Sequence, residues 1–210
     1  MMKSILIITC LLLSVMATAQ TKYEQGMRKA FELWEAGKPN EAANIFERIA
    51  QAEPDNWLPP YYVSQIHVFQ SFSEKDKEKL VPQLKTAQDF LNDAKAISKN
   101  NPEIMVLEAQ MLTAWIVFDG QKYGMTYSGK ISELYNKAAQ IAPENPRVVL
   151  GKAEWDIGAA KWFGKSTEAY CEDLKRAETL FATFTPEGEF YPQGGGSRVV
   201  QVMAENNCND

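Results

Sequence analysis

Gly164-Lys165-Ser166 matches the end of a phosphate-binding loop in residue type and order. Such a loop also needs a glycine five residues before the second one, so that backbone amides can surround the phosphates. Ala159 stands at that position, and the preceding segment has the spacing of a helix where the motif requires a strand. The sequence therefore argues against nucleotide binding.

His67 is the chain's single histidine, and it lies between Ile66 and Val68 in a segment of helical spacing. A metal site or a Ser-His or Cys-His catalytic pair needs further ligands or partners, and histidine is the commonest of these. We therefore predict no catalytic residue, no metal site and no cofactor, and we expect His67 to be partly buried for structural reasons.

The charged residues exclude one class of partner and leave one class of enzyme open. Lysines and arginines are scattered singly in a chain of net charge −5, whereas nucleic-acid binding requires a basic stripe. Asp and Glu together number 27, enough for two to meet across a cleft as glycoside hydrolysis requires, although spacing alone cannot identify such a pair. Nucleic acid is not an expected partner, and a hydrolase with paired carboxylates is the third candidate function.

Residues 1–19 have the pattern of a secretory signal peptide. Lys3 supplies a positive charge, an apolar run extends from Ile5 to Val15, and Ala17-Thr18-Ala19 forms a small-residue cleavage site before Gln20. The run is too short to span a membrane, and no other stretch approaches the required length of about 20 apolar residues. We predict a periplasmic or secreted protein whose mature chain has no transmembrane segment.

Two cysteines, Cys171 and Cys208, would remain after cleavage. Disulfides persist in exported compartments, so we predict that the two residues are bonded to each other. Two separate thiols are the alternative. No Cys-x-x-Cys is present, and a redox activity is therefore not indicated.

The elements that position these residues are helices, because apolar residues from about Tyr23 to Phe184 recur with helical spacing. The spacing also repeats: large and small apolar residues occur at intervals of four and three, and three of the four sets are followed by a proline five positions later. The sets are Ala42, Phe46, Ile49 with Pro54; Phe90, Ala94, Ile97 with Pro102; Ile131, Tyr135, Ala138 with Pro143; and Tyr170, Leu174, Ala177. Each unit predicts a pair of helices that must stack on its neighbours to bury its apolar face.

This arrangement resembles the tetratricopeptide repeat (TPR), in which small and aromatic residues and a proline occupy these offsets. The first unit, Tyr23 to Asn56, is the closest match, with Ala30 in the small position of its first helix and Gly37 in the turn. Later units begin 48, 41 and 39 residues apart, against 34 in the family, which implies longer helices or inserted loops. The resemblance implies an all-α fold, a right-handed α-solenoid of about four hairpins.

We accordingly predict a signal peptide over 1–19 and a helical repeat domain over 20–210. The repeats cover about 23–56, 57–100, 102–142 and 146–184, and a C-terminal cap with a short helix covers 185–210. A long turn is predicted between Asp119 and Gly129, because it holds three glycines.

The mature chain is also similar to a group of exported TPR-type proteins of the Bacteroidetes. The stretches that carry this similarity are 122–129, Asn145-Pro146-Arg147, Phe163-Gly164-Lys165 with Ala169 and Cys171, and the proline-containing tail that ends at Cys208. The resemblance implies an exported α-helical repeat and no particular activity.

Large aromatic residues concentrate on the predicted first helices, which in TPR arrays line a concave groove. The offsets of the first two units turn five residues toward that groove: Met27, Phe31, Trp34, Tyr61 and Phe69. Such aromatics suit a peptide or a sugar, although stripes of this kind also form the core between repeats. The leading hypothesis is a non-catalytic scaffold that binds a peptide or protein partner through the groove, and the second is a glycan- or small-ligand-binding protein.

Overall fold

The structure is a computed structural model, and it describes residues 22–208. Over this range the chain is built from helices and contains no strand. The helices are α1 (22–35), α2 (Pro39–Ala52), α3 (Leu58–Ser71), α4 (Lys77–Ile97), α5 (Pro102–Phe118), α6 (Gly120–Ile141), α7 (Pro146–Trp162), a 3-10 turn (Glu168–Tyr170), α8 (Cys171–Thr183) and α9 (Gly196–Glu205). The proposed signal peptide lies outside the described residues.

Proline and asparagine define where the inner helices begin. Pro102 and Pro146 occupy the first turns of α5 and α7, where a missing backbone N–H costs nothing. The side chain of Asn101 accepts a hydrogen bond from the backbone N–H of Glu103, and that of Asn145 accepts one from Arg147 N–H. Two successive repeats therefore start with the same Asn-Pro cap.

The helices form four antiparallel hairpins that stack in chain order: α1 with α2, α3 with α4, α5 with α6 and α7 with α8. The first helices α3, α5 and α7 contact one another, and each second helix packs against the first helix of the next hairpin. This is the stacking predicted from the repeat, with the first helices forming an inner row. Among residues 22–208 there is no helix with the length and apolar character needed to cross a membrane.

The repeated small and large residues lie where the spacing places them. Ala42, Ala94, Ala138 and Ala177 are fully buried, so that a neighbouring helix can approach closely. Buried side chains form three clusters, one from α1 to α5, one between α5, α6 and α7, and one between α7, α8 and α9. The core runs along the array from one hairpin to the next.

The predicted turn between Asp119 and Gly129 is wrong, because α6 begins at Gly120 and only Asp119 separates it from α5. Asp119 starts the helix, since its carboxylate accepts from Lys122 N–H and its carbonyl accepts from Tyr123 N–H. None of the glycines in the segment has a positive φ. The helix tolerates each of them at a cost of about 1 kcal/mol relative to alanine.

After α8 the chain crosses back over the inner face and then forms α9, which packs on α8. Cys171, at the start of α8, is bonded to Cys208, just beyond α9, with Cα atoms 5.2 Å apart. The short C-terminal helix and the disulfide agree with the sequence prediction. We call residues 184–195 the tail segment.

Candidate functional site

The inner face of the solenoid borders a half-open cavity of about 2010 Å³. Its walls come from α1, α3, α5, α6 and α7, from the start of α9, and from the tail segment. Because the first helices are parallel and adjacent, they present one side of each helix to the same space. This is the only surface of the described chain where the sequence-predicted aromatic residues come together around open volume.

Phe31 is the centre of an aromatic cluster at the α1–α3 end of the cavity. Its ring meets Tyr62 edge-on at 4.7 Å between centroids and Phe46 at 5.3 Å. Trp34 stacks beside it at 6.5 Å and continues the cluster toward Phe69 at 6.4 Å. Aromatic contacts of this kind hold flat apolar surfaces rigidly in place.

The five sequence-predicted groove residues fall into three groups. Phe31 and Trp34 are partly buried and line the cavity, and Phe69 lines it with 46% of its surface exposed. Tyr61 also borders the cavity but is 2% exposed, so only a small edge is presented. Met27 is fully buried in the first core cluster and does not border the cavity, so at this position the stripe forms core.

The tail segment fills part of the groove with its own aromatics. Phe190 is 8% exposed, stacks on Phe31 at 6.1 Å, and its carbonyl accepts a hydrogen bond of 2.7 Å from the Tyr62 hydroxyl. Tyr191 packs edge-on against Trp57 at 5.9 Å. The tail segment therefore closes one side of the groove and turns it into a cavity.

Sequence reasoning missed this contribution, because Tyr62 and Phe190 are 128 residues apart and share no repeat. The only local signal was an aromatic pair and a proline, 190–192, set between glycines in a stretch that could not be helical.

Two ion pairs fasten the tail segment and α9 to the array. Arg28 of α1 makes bonds of 2.7 and 2.9 Å to the carboxylate of Glu189, and hydrogen bonding from Arg28 lowers the pKa of Glu189. Arg198 of α9 bonds Glu154 of α7 at 2.7 Å, and burial raises the pKa of Glu154 against the opposing effect of Arg198. All four residues border the cavity.

A buried ionic network supports the wall between α5 and α7. The fully buried carboxylate of Glu103 receives Nε of Arg147 at 2.7 Å, its Nη2 at 2.5 Å and Nδ2 of Asn145 at 2.5 Å. The guanidinium of Arg147 lies 4.7 Å from the ring of Phe184 and 5.9 Å from that of Tyr191. The same arginine therefore joins two inner helices and holds the tail segment over them.

The other candidate chemistry does not assemble at the cavity. His67 is partly buried in α3, its pKa is lowered by burial, and it is not part of the wall. Gly164 and Lys165 lie in the turn after α7, where Gly164 has a φ of 65°. Within residues 22–208, no group of three His, Cys, Asp or Glu side chains is arranged to hold a metal ion.

Comparisons with known proteins identify the fold. No protein-family model matches the chain, and no curated protein matches its sequence. The structure is similar to the HusA haemophore from Porphyromonas gingivalis, with 21% identity, a TM-score of 0.76, and coverage of 89% of this chain and 92% of that one. It is also similar to TTC0263, a thermophilic TPR protein of Thermus thermophilus, with 12% identity, a TM-score of 0.56, and coverage of 77% and 89%.

These two similarities, together with the helical hairpins, confirm the predicted resemblance to TPR proteins and the predicted all-α solenoid.

Proposed function

We propose that this protein is a non-catalytic binding protein that holds an apolar, flat small molecule in the inner cavity. The observation that carries the proposal is the position of Phe190, which packs against Phe31 and Tyr62 and covers part of the groove. A fully open groove suits an extended chain, whereas a groove that is partly covered and walled by aromatic side chains suits a compact ligand. The volume of about 2010 Å³ exceeds the roughly 300–1,000 Å³ of common ligand pockets, so a large ligand is accommodated.

The composition of the wall narrows the ligand chemistry. Aromatic and aliphatic side chains from α1, α3, α5 and α7 form most of it, and such a wall suits a flat apolar ring system. One protein of similar fold is a haemophore, and a haem is a flat apolar ring system with carboxylate groups. We therefore take tetrapyrroles as the first ligands to test. Among residues 22–208, no histidine or cysteine borders the cavity, so aromatic packing would supply the contacts.

A peptide or protein partner is the second candidate. The tail segment supports this candidate, because it is an aromatic and proline-containing stretch in which both Phe190 and Pro192 are buried. A peptide would have to displace this segment or bind beside it. That competition places the peptide hypothesis behind the small ligand.

Further features support a binding role outside the cytoplasm. Two of the carboxylates at the cavity, Glu154 and Glu189, are paired with arginines and are poorly suited to act as a hydrolytic pair. The sequence pattern of residues 1–19 and the Cys171–Cys208 bond both favour export to the periplasm or the exterior.

A cavity-filling variant tests the proposal. Gln110 of α5 borders the cavity and is only partly buried, so Gln110→Trp should place an indole in the ligand space without removing a core side chain. The protein is titrated with haemin and with metal-free protoporphyrin IX, and binding is followed by tryptophan fluorescence and calorimetry. We expect the variant to bind about tenfold more weakly, which corresponds to a loss of about 1.4 kcal/mol in binding free energy.

Gln140→Trp is the matched control, because Gln140 is exposed on α6 and does not border the cavity. It should bind both compounds like the unmodified protein. Equal affinities for all three proteins would refute the cavity as the binding site. Binding of neither tetrapyrrole, together with binding of a peptide copying residues 184–195, would favour the second candidate.

A further inference from the structure

One edge of the solenoid exposes large apolar side chains, where α5 and α7 end and α6 begins. Val117 is 61% exposed, Met125 96%, Trp162 70% and Phe163 71%. Single exposed apolar residues are common on protein surfaces, but a contiguous group of large ones marks an interaction site. We call these four residues the apolar edge.

The four residues belong to one surface. Gly120 opens α6 beneath the ring of Trp162, where a Cβ atom would lie 3.5 Å from Cη2 of the indole. Met125 lies in the second turn of α6, and all four residues border the inner cavity. Phe163 ends α7 and precedes Gly164, whose φ of 65° turns the chain away from the helix axis. The apolar edge thus forms one mouth of the cavity.

Basic residues stand next to the apolar edge along the chain. Lys122, Lys161 and Lys165 are exposed, and none of the three forms an ion pair with any residue in the described part of the chain. Asp119 is the acidic residue between them, and its carboxylate caps α6. This positive charge is local, because the chain as a whole carries −5.

The geometry points to an anionic lipid surface as the partner of the apolar edge. Indole and phenyl rings are favoured at the boundary between headgroups and acyl chains, and exposed lysines beside them are attracted to lipid phosphates. Trp162 and Phe163 insert at that boundary, and Lys161 and Lys165 contact the headgroups. Docking in this orientation places a cavity mouth against the membrane. Passage of an apolar ligand through it rests on the proposed function, whereas the docking itself does not.

Vesicle sedimentation tests the docking. The purified protein is mixed with vesicles of phosphatidylcholine alone and of phosphatidylcholine with phosphatidylglycerol, at low and at high salt. We expect selective sedimentation with the anionic vesicles that falls with added salt, because screening weakens attraction between the lysines and the phosphates. The double variant Trp162→Ser, Phe163→Ser should partition about tenfold more weakly or worse, since each ring buries a large apolar area. The variant Lys161→Glu, Lys165→Glu should lose about as much.

The control is Ile141→Ser, Val200→Ser, which removes two exposed apolar residues, 45% and 54% exposed, that do not border the cavity. This control should sediment like the unmodified protein, and thermal unfolding should show all variants to be folded. Absence of vesicle binding by the unmodified protein, or undiminished binding by the Trp162 and Phe163 variant, would overturn the docking. Tetrapyrrole titration of the same proteins in the absence of vesicles reports on the cavity separately.

Discussion

Glu103 is a fully buried carboxylate in the wall between two inner helices, and its position is stable only because its oxygens are satisfied. Arg147 and Asn145 supply the donors, and both belong to the start of the next inner helix. Removing a carboxylate from water costs several kcal/mol, which short charge-assisted hydrogen bonds offset. The network therefore specifies how α7 sits against α5 more than it adds net stability.

We expect Arg147→Met to lower the free energy of unfolding by about 3–5 kcal/mol, because the charge of Glu103 would be left buried without its main partner. Urea unfolding followed by circular dichroism measures the change. Lys85→Met is the control, since Lys85 pairs with Asp89 at an exposed site and its loss should cost about 0.5 kcal/mol or less. Similar losses in both variants would contradict a special role for the buried pair.

At the scale of helices, the sequence predicted the hairpins well and their junctions less well. The intervals of four and three around Ala42, Ala94 and Ala138 identify buried faces, because close helix packing needs small residues there. The predicted turn at the start of α6 was wrong, because three glycines suggested that the chain could not be helical there. The Asp119 cap and the packing of α6 on α5 make that segment helical. The number of glycines reports on neither.

Two glycines of α7 distinguish packing from helix propensity. A Cβ atom at Gly151 would lie 2.7 Å from Cε1 of the buried Tyr135 ring, whereas one at Gly158 would meet nothing within 4 Å. Gly151→Ala should therefore destabilise the protein by about 1–3 kcal/mol. Gly158→Ala should stabilise it by about 0.5–1 kcal/mol, because alanine favours a helix. Thermal and urea unfolding measure both, and a stabilised Gly151→Ala would show that the α6–α7 contact is loose.

At the scale of the whole molecule, the repeat predicts the wall of the cavity that the first helices form. It does not predict the side that the tail segment forms. Phe31, Trp34 and Phe69 border the cavity at positions derived from the repeat offsets. Phe190 and Tyr191 come from a stretch with no periodicity, and their partners Tyr62 and Trp57 lie more than 120 residues away. A periodic pattern reports neighbouring helices, so it cannot reveal a segment that returns across the whole array.

The tail segment lies inside the 37-residue separation of Cys171 and Cys208, so the disulfide limits the freedom of the tail segment as well as that of α9. Replacing both cysteines by serine should lower the free energy of unfolding by about 4 kcal/mol, because the unfolded chain regains the entropy of an open loop. Urea unfolding with and without reductant measures this. Reductant should bring the unmodified protein to the stability of the double variant and leave the variant unchanged. A stability that does not respond to reductant in either protein would mean that the array holds its C-terminal part through packing alone.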